Sequence, residues 1–144
     1  MTVNIQVSRI DKDKEENGVF VELPAIYFGG DYPEGKTPAL KLAKWQNTNH
    51  QKAAIKVRKS KFPGRSVDDL GPEESIKLLR EVMAESIVLD WRDVTDIDGA
   101  DVPYSKQACM EWMEADRDLA SWVMQESQNR SHYYRERLGK SKTK

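Results

Sequence analysis

The stretch Asp93-Val94-Thr95-Asp96-Ile97-Asp98-Gly99-Ala100-Asp101 sets carboxylates two residues apart ahead of a glycine, a spacing that suggests calcium chemistry. In an EF-hand loop the glycine takes the sixth position, and oxygens come from the first, third, fifth and twelfth among others. With Gly99 sixth, Asp96 and Asp98 fall third and fifth, but Val94 falls first and Ser105 twelfth, where a bidentate glutamate belongs. The register fails, so the aspartates read as a solvated tight turn. His50, His132 and Cys109 are too scattered to supply the three or four clustered ligands of a zinc site. Cys109 falls among apolar neighbours at helical spacing and reads as a buried, inert thiol. Gly29-Gly30 precedes a proline-containing loop and lacks the later glycine and lysine of a phosphate loop. No carboxylate pair stands out for acid–base work. The expectation is a protein that binds and does not catalyse, with no catalytic residue, metal or cofactor.

The elements around this turn are read from periodicity. Gly71-Pro72-Glu73-Glu74 opens a helix with acids in its first turn, and Ile76, Leu79, Met83 and Ile87, with Val82 alongside, form one apolar stripe running to about Leu89. Trp91 then reads as an anchor that closes this helix. Asp98-Gly99 makes the turn, Pro103 stops helix in the residue before it, and Val102 and Tyr104 pack back onto the core. Ser105 caps a further helix in which Cys109, Trp112 and Met113 share a face. Asp116 interrupts that stripe before Leu119, Trp122 and Val123 resume it, so this third of the chain is a bent helix or two helices joined near Glu114-Ala115-Asp116. Upstream, Thr37-Pro38 is a helix-start signal, and 37–59 reads as two helices meeting near Asn47. Val3 to Ser8 alternates apolar and polar residues, a charged turn covers Asp11 to Gly18, and Val19 to Leu23 is a second β-type run, which predicts a hairpin over 3–23. Ala25 to Phe28 prolongs the extended chain, and Gly29 to Gly35 is a loop. The expected fold is mainly α, a small helical domain with an N-terminal β-hairpin. Its parts are hairpin and loop over 1–36, a helical domain over 37–140, and a disordered basic tail over 141–144.

Composition bounds the class. The 144 residues are 38% hydrophobic, enough for one modest core, and 33% charged; four Trp and five Met argue against disorder. No run approaches the roughly 18–20 apolar residues of a membrane span, and Met1-Thr2-Val3-Asn4 lacks a signal-peptide pattern. With a lone cysteine as well, a cytoplasmic location away from the membrane is expected. The net charge of −1 hides three blocks. Residues 36–65 hold nine bases and no acid, 66–101 hold eleven acids and three bases, and the last 17 hold six bases and one acid. Lys52, Lys56 and Lys59 share one helix face, flanked by Arg58 and Lys61, with Trp45 near enough to stack, which is the pattern of a phosphate track. The acidic block that follows would repel phosphate unless it sat on the opposite side, so a solvated or internally paired face is the favoured reading and nucleic acid the rival one.

The order of residues in the middle of the chain resembles a known family. Ala84-Glu85-Ser86-Ile87-Val88-Leu89-Asp90-Trp91, then Val94, Asp96 and Asp98-Gly99, then Val102-Pro103-Tyr104-Ser105 opening a helix, is similar to the tail assembly chaperones encoded beside the tape-measure gene of long-tailed phages. Asn47-Thr48-Asn49-His50 ahead of the basic helix is similar to the family's Asn-Pro-x-aromatic start, from which Thr48 and His50 depart. Tyr133-Tyr134-Arg135 stands where a late aromatic with a basic neighbour is usual. The resemblance spans about Leu40 to Lys140. It implies a phage or prophage factor in the host cytoplasm that binds the tape-measure protein, recruits tail-tube subunits around it, and leaves before the tail is finished. It also implies a longer, frameshifted form of the chain, for which Leu138 to Lys144 suits a slippery site. Such a holdase needs shareable apolar surface. Trp112, Met113, Trp122 and Met124 are the candidates for a partner-facing or self-association groove, with burial in the core as the competing reading for Trp112, Met113 and Trp122. The alternatives are a virion structural protein of the tail or neck and a basic nucleic-acid-binding module.

Overall fold

The computed structural model describes residues 9–136. Its elements are α1 (Lys12–Asn17), β1 (Val19–Glu22), β2 (Ala39–Leu42), α2 (Thr48–Lys61), α3 (Pro72–Ser86), β3 (Val88–Arg92), α4 (Lys106–Ala115) and α5 (Arg117–Ser127), with 3-10 turns at Ala25–Phe28, Val67–Asp69 and Arg130–Tyr133. The three strands form an antiparallel sheet in the order β1-β2-β3.

This corrects the expected fold class. The protein is mixed α/β, not mainly α with a terminal hairpin. The strand over 19–22 pairs with residues 39–42, Val19 opposite Leu42 and Glu22 opposite Ala39. The upstream run Val3 to Ser8 and the tail over 141–144 lie outside the described residues. The segment after Thr37-Pro38 is the central strand, and Trp91 sits on β3 opposite Leu40 instead of ending a helix. The sheet thus joins residues on both sides of position 37. Short apolar runs such as Ala39-Leu40-Lys41-Leu42 satisfy helix and strand patterns equally, and a central strand buried on both faces loses the alternation that would betray it. Ala39, Leu40 and Leu42 are all buried.

Local chemistry explains the remaining boundaries. The charged stretch 11–18 is α1, because the Asp11 carboxylate accepts from the amides of Asp13 and Lys14 and caps it. Gly18 ends it at φ +84, where an added Cβ would stand 3.1 Å from the Leu42 backbone. Ala25–Phe28 is a 3-10 turn instead of extended chain, closed by Gly29 in the left-handed region. Asn47, only 4% exposed, caps α2 by accepting from the Asn49 amide and donates to the carbonyls of Lys44 and Ser86, so one side chain ties the start of α2 to the end of α3. Asp116 ends α4 and caps α5, which makes the C-terminal third two helices.

The main core gathers Leu23, Leu40 and Leu42 from the sheet side with Met83, Ile87 and Val88 and, from α4 and α5, Met113, Leu119 and Val123. A smaller cluster, Ala53, Val57, Leu78 and Val82, joins α2 to α3. Each buried aliphatic side chain contributes roughly 1.5–3 kcal/mol. Tyr133, at the end of the C-terminal 3-10 turn, is fully buried, and its hydroxyl donates to the Leu42 carbonyl at 3.1 Å. No helix among the described residues is long and apolar enough to cross a membrane.

Candidate protein-docking surface

The acidic turn is a connector whose parts are mutually bonded. The Trp91 indole Nε1 donates to the Val102 carbonyl at 2.7 Å, and the Tyr104 hydroxyl donates to the Val88 carbonyl at 2.6 Å. Between them Thr95 and Asp101 form an antiparallel bridge, and the Asp96 carboxylate accepts from the amides of Asp98 and Ala100 at 2.9 Å each. Gly99 takes φ +85, which the turn requires. Asp93 accepts from the Thr37 amide, and Asp101 meets Lys36 at 2.6 Å. Pro103 carries the chain, without an amide to satisfy, to Ser105, whose hydroxyl accepts from the Ala108 amide and caps α4. The tip remains: Ile97 is 100% exposed, and the Asp98 carboxylate has no partner among the described residues.

From Trp91 an aromatic ladder leads outward. Trp91 meets Tyr104 and Trp112 edge-on at 5.1 and 5.6 Å, Trp112 meets Phe28 at 6.0 Å, and Tyr27 tilts against Trp122 at 6.3 Å. Edge-to-face pairs of this kind hold rings rigidly beyond their area burial. The Tyr27 hydroxyl, donating to the Asp118 carbonyl, pins the 25–28 turn to α5. Two clefts flank Tyr27. One, about 360 Å³, is walled by Ile26, Trp122, Asp116 and Asp118; the other, about 530 Å³, by Phe28, Asp31, Pro33, Asp96 and Ile97. Carboxylates rim both, and no basic residue lines either. Ile26 stands 77% exposed at the edge of the first.

The sequence candidates are divided by this arrangement. Trp112 and Trp122 are half-buried members of the ladder, Met124 is half-buried against the core, and Met113 is 0% exposed and offers no surface. Ile26 and Tyr27 were not singled out by sequence reasoning. Pro24 ahead of an apolar-aromatic pair and Gly29-Gly30 behind it was the available signal for a turn that displays those side chains.

The basic block is only in part a free surface. Lys52 and Lys59 are exposed on α2, whereas Lys56 pairs with Glu85 at 2.6 Å and Lys61 with Glu81 at 3.7 Å. Lys106 joins both glutamates at 3.0–3.1 Å. Hydrogen bonds from Lys56 and Lys106 hold the Glu85 carboxyl below its ordinary value of 4.5. A carboxyl more acidic in the folded than in the unfolded chain stabilises the fold above the unfolded value, and that contribution drains as pH falls through the folded one. Glu85→Gln is therefore expected to unfold at lower urea than the wild type at neutral pH, with the gap between their midpoints closing in acid. A gap constant down to strongly acidic pH would show that the cluster is not coupled to folding.

The nucleophilic and imidazole groups are engaged structurally. Burial pushes the Cys109 thiol up to about 12, so it stays protonated at neutral pH. His50 accepts from the Gln46 amide at 2.9 Å against the Trp45 ring, and burial lowers its pKa, which favours the neutral form that this bond needs. His132 meets Glu126 at 2.8 Å.

Fold and surface together define a small α/β protein built on a three-stranded sheet, with acid-rimmed clefts beside an aromatic ladder on its surface. A family model described as the YdaY prophage protein matches residues 41–144. The chain belongs to that family and is a prophage protein. Comparison with curated proteins and with solved structures gives no match.

Proposed function

We propose that this prophage protein is a tail assembly chaperone: a non-enzymatic factor that holds a helical stretch of the tape-measure protein in the host cytoplasm while tail-tube subunits gather around it. Two findings support the reading. The chain is a prophage protein, and its central order of residues, Ala84 to Ser105, is the one that resembles the chaperone family. The observation that carries the mode of binding is the cleft between Ile26 and Trp122, rimmed by Asp116 and Asp118. Its chemistry fits one face of an amphipathic helix, with apolar anchors seated on Ile26, Tyr27 and Trp122 and basic neighbours meeting the two aspartates. A longer, frameshifted form would carry the tail-tube contact.

Coexpression tests this. The chain is expected to keep the tape-measure protein of its own prophage in the soluble fraction and to co-purify with it. Ile26→Asp, at an exposed position where folding is spared, is expected to weaken that complex at least about ten-fold, the loss typical of a central anchor. Purified tails should lack the chain by mass spectrometry. A tape-measure protein equally insoluble with and without the chain would overturn the proposal, and stoichiometric presence in particles would establish a virion subunit instead.

A further inference from the structure

A third cleft, about 380 Å³, lies where the end of α2 meets α3 and α4. Phe62, Leu78 and Met110 give it an apolar floor, and Lys61, Lys77 and Arg80 give it cations. The acids on its wall are Glu81, which is already held by Lys106 at 3.1 Å and Lys61 at 3.7 Å, and Glu114. Arg80 is the anomaly. Its Nε is buried without a hydrogen-bond partner, and its guanidinium makes no ion pair among the described residues. A guanidinium is charged at every physiological pH, and with no ion pair among the described residues the outer nitrogens of Arg80 are free to meet an incoming carboxylate. The occupant this cleft selects is an apolar anchor with a carboxylate beside it.

The chain itself displays such a group. At the tip of the acidic turn, Ile97 is 100% exposed, and its neighbour Asp98 has a carboxylate without a partner among the described residues. The Thr95–Asp101 bridge and the amide bonds to Asp96 hold that tip out as a preformed knob, which lowers the ordering cost of docking it. We propose that copies of this chain associate head to tail, with Ile97 of one copy seated on Phe62, Leu78 and Met110 of the next and Asp98 paired with Arg80. Knob and cleft share no residue, so the contact is heterologous: each copy keeps a free knob at one end and a free cleft at the other, and association continues into an open string or a closed ring. The Ile26–Trp122 cleft takes no part, so this inference stands apart from the proposed client contact.

Sedimentation velocity of the purified chain over a wide concentration range tests it. The wild type is expected to grow with concentration beyond a dimer, and added salt to reverse the growth. Asp98→Arg blocks the knob, Arg80→Glu blocks the cleft, and each alone should sediment as a monomer. Mixed, each variant's knob meets a cleft of opposite charge on the other, so growth should return as an alternating string that neither variant forms alone. The double exchange Arg80→Glu with Asp98→Arg should recover growth. Ile97→Ser, at a wholly exposed position, should weaken association about ten-fold or more without touching the core. A monomer at every concentration, or a dimer that persists in both single variants, would overturn the proposal.

Discussion

Trp91→Ala is expected to lower the unfolding free energy by about 3–5 kcal/mol, the range for removing a large buried aromatic. Three losses coincide at this position. The cavity opens where β3 faces the ladder, because Trp91 is the ring that both Tyr104 and Trp112 meet edge-on. The Val102 carbonyl loses the indole donor at 2.7 Å. The acidic turn, held at one end by that bond, loses its fixed relation to the start of α4. Trp91→Phe separates these terms: it refills most of the cavity but leaves Val102 unpaired, and is expected to cost about 1–3 kcal/mol. Urea unfolding followed by far-UV and near-UV circular dichroism reads both. The alanine variant should show a large drop in midpoint with an unchanged slope, and weakened near-UV signal before unfolding. Equal midpoints for alanine and wild type would mean that the turn is held by its own bonds and the ladder is dispensable.

Tyr133→Ala is expected to cost a similar amount, about 3–5 kcal/mol, for a reason of topology. Tyr133 is 0% exposed, and its hydroxyl reaches the carbonyl of Leu42 on the central strand. Its own carbonyl accepts from the Asp11 amide at 2.7 Å, and nearby the Arg135 amide donates to Arg9 at 2.6 Å. One side chain therefore clamps both ends of the described chain onto the sheet. Tyr133→Phe removes the hydroxyl alone and should cost about 1 kcal/mol. Hydrogen exchange is the decisive readout: in Tyr133→Ala the amides of Asp11 and Arg135 should exchange far faster while those of α3 follow only the global loss. Unchanged protection at Asp11 would show that the terminal pairing is independent of the ring. Because small domains are stable by only about 5–15 kcal/mol, either alanine variant removes a large share of the margin.

What was legible in the sequence depended on the range of the interactions responsible. The helix over Pro72–Ser86 was legible because its apolar stripe and its proline and acidic first turn are local signals. So were the Ser105 cap, the break at Asp116 and the Asp98-Gly99 turn, each decided by a side chain bonding backbone within four residues. The order of residues from Ala84 to Ser105 also pointed to a phage protein, and the family match agrees at that level.

Of the sheet, only the run from Val19 was legible as a strand, and its partner was not. Ala39 to Leu42 and Val88 to Arg92 are strands because each completes the other's backbone bonds across some fifty intervening residues, and no window of sequence contains both partners. The arrangement of surface side chains was hidden for the same reason. Ile26 and Tyr27 come to stand beside Trp122 only when the 25–28 turn is pinned to α5, while Met113, on the same apolar stripe as Trp112, disappears into the core. Sequence by itself located the helix opening at Pro72, the helical stretch after Ser105 with its break at Asp116, and the acidic turn, since those follow from contacts a few residues apart. Tertiary structure alone decided which apolar segments paired as strands, which aromatics reached the surface, and that Ile97 stands exposed while Met113 is buried, since all three depend on residues that meet only after folding.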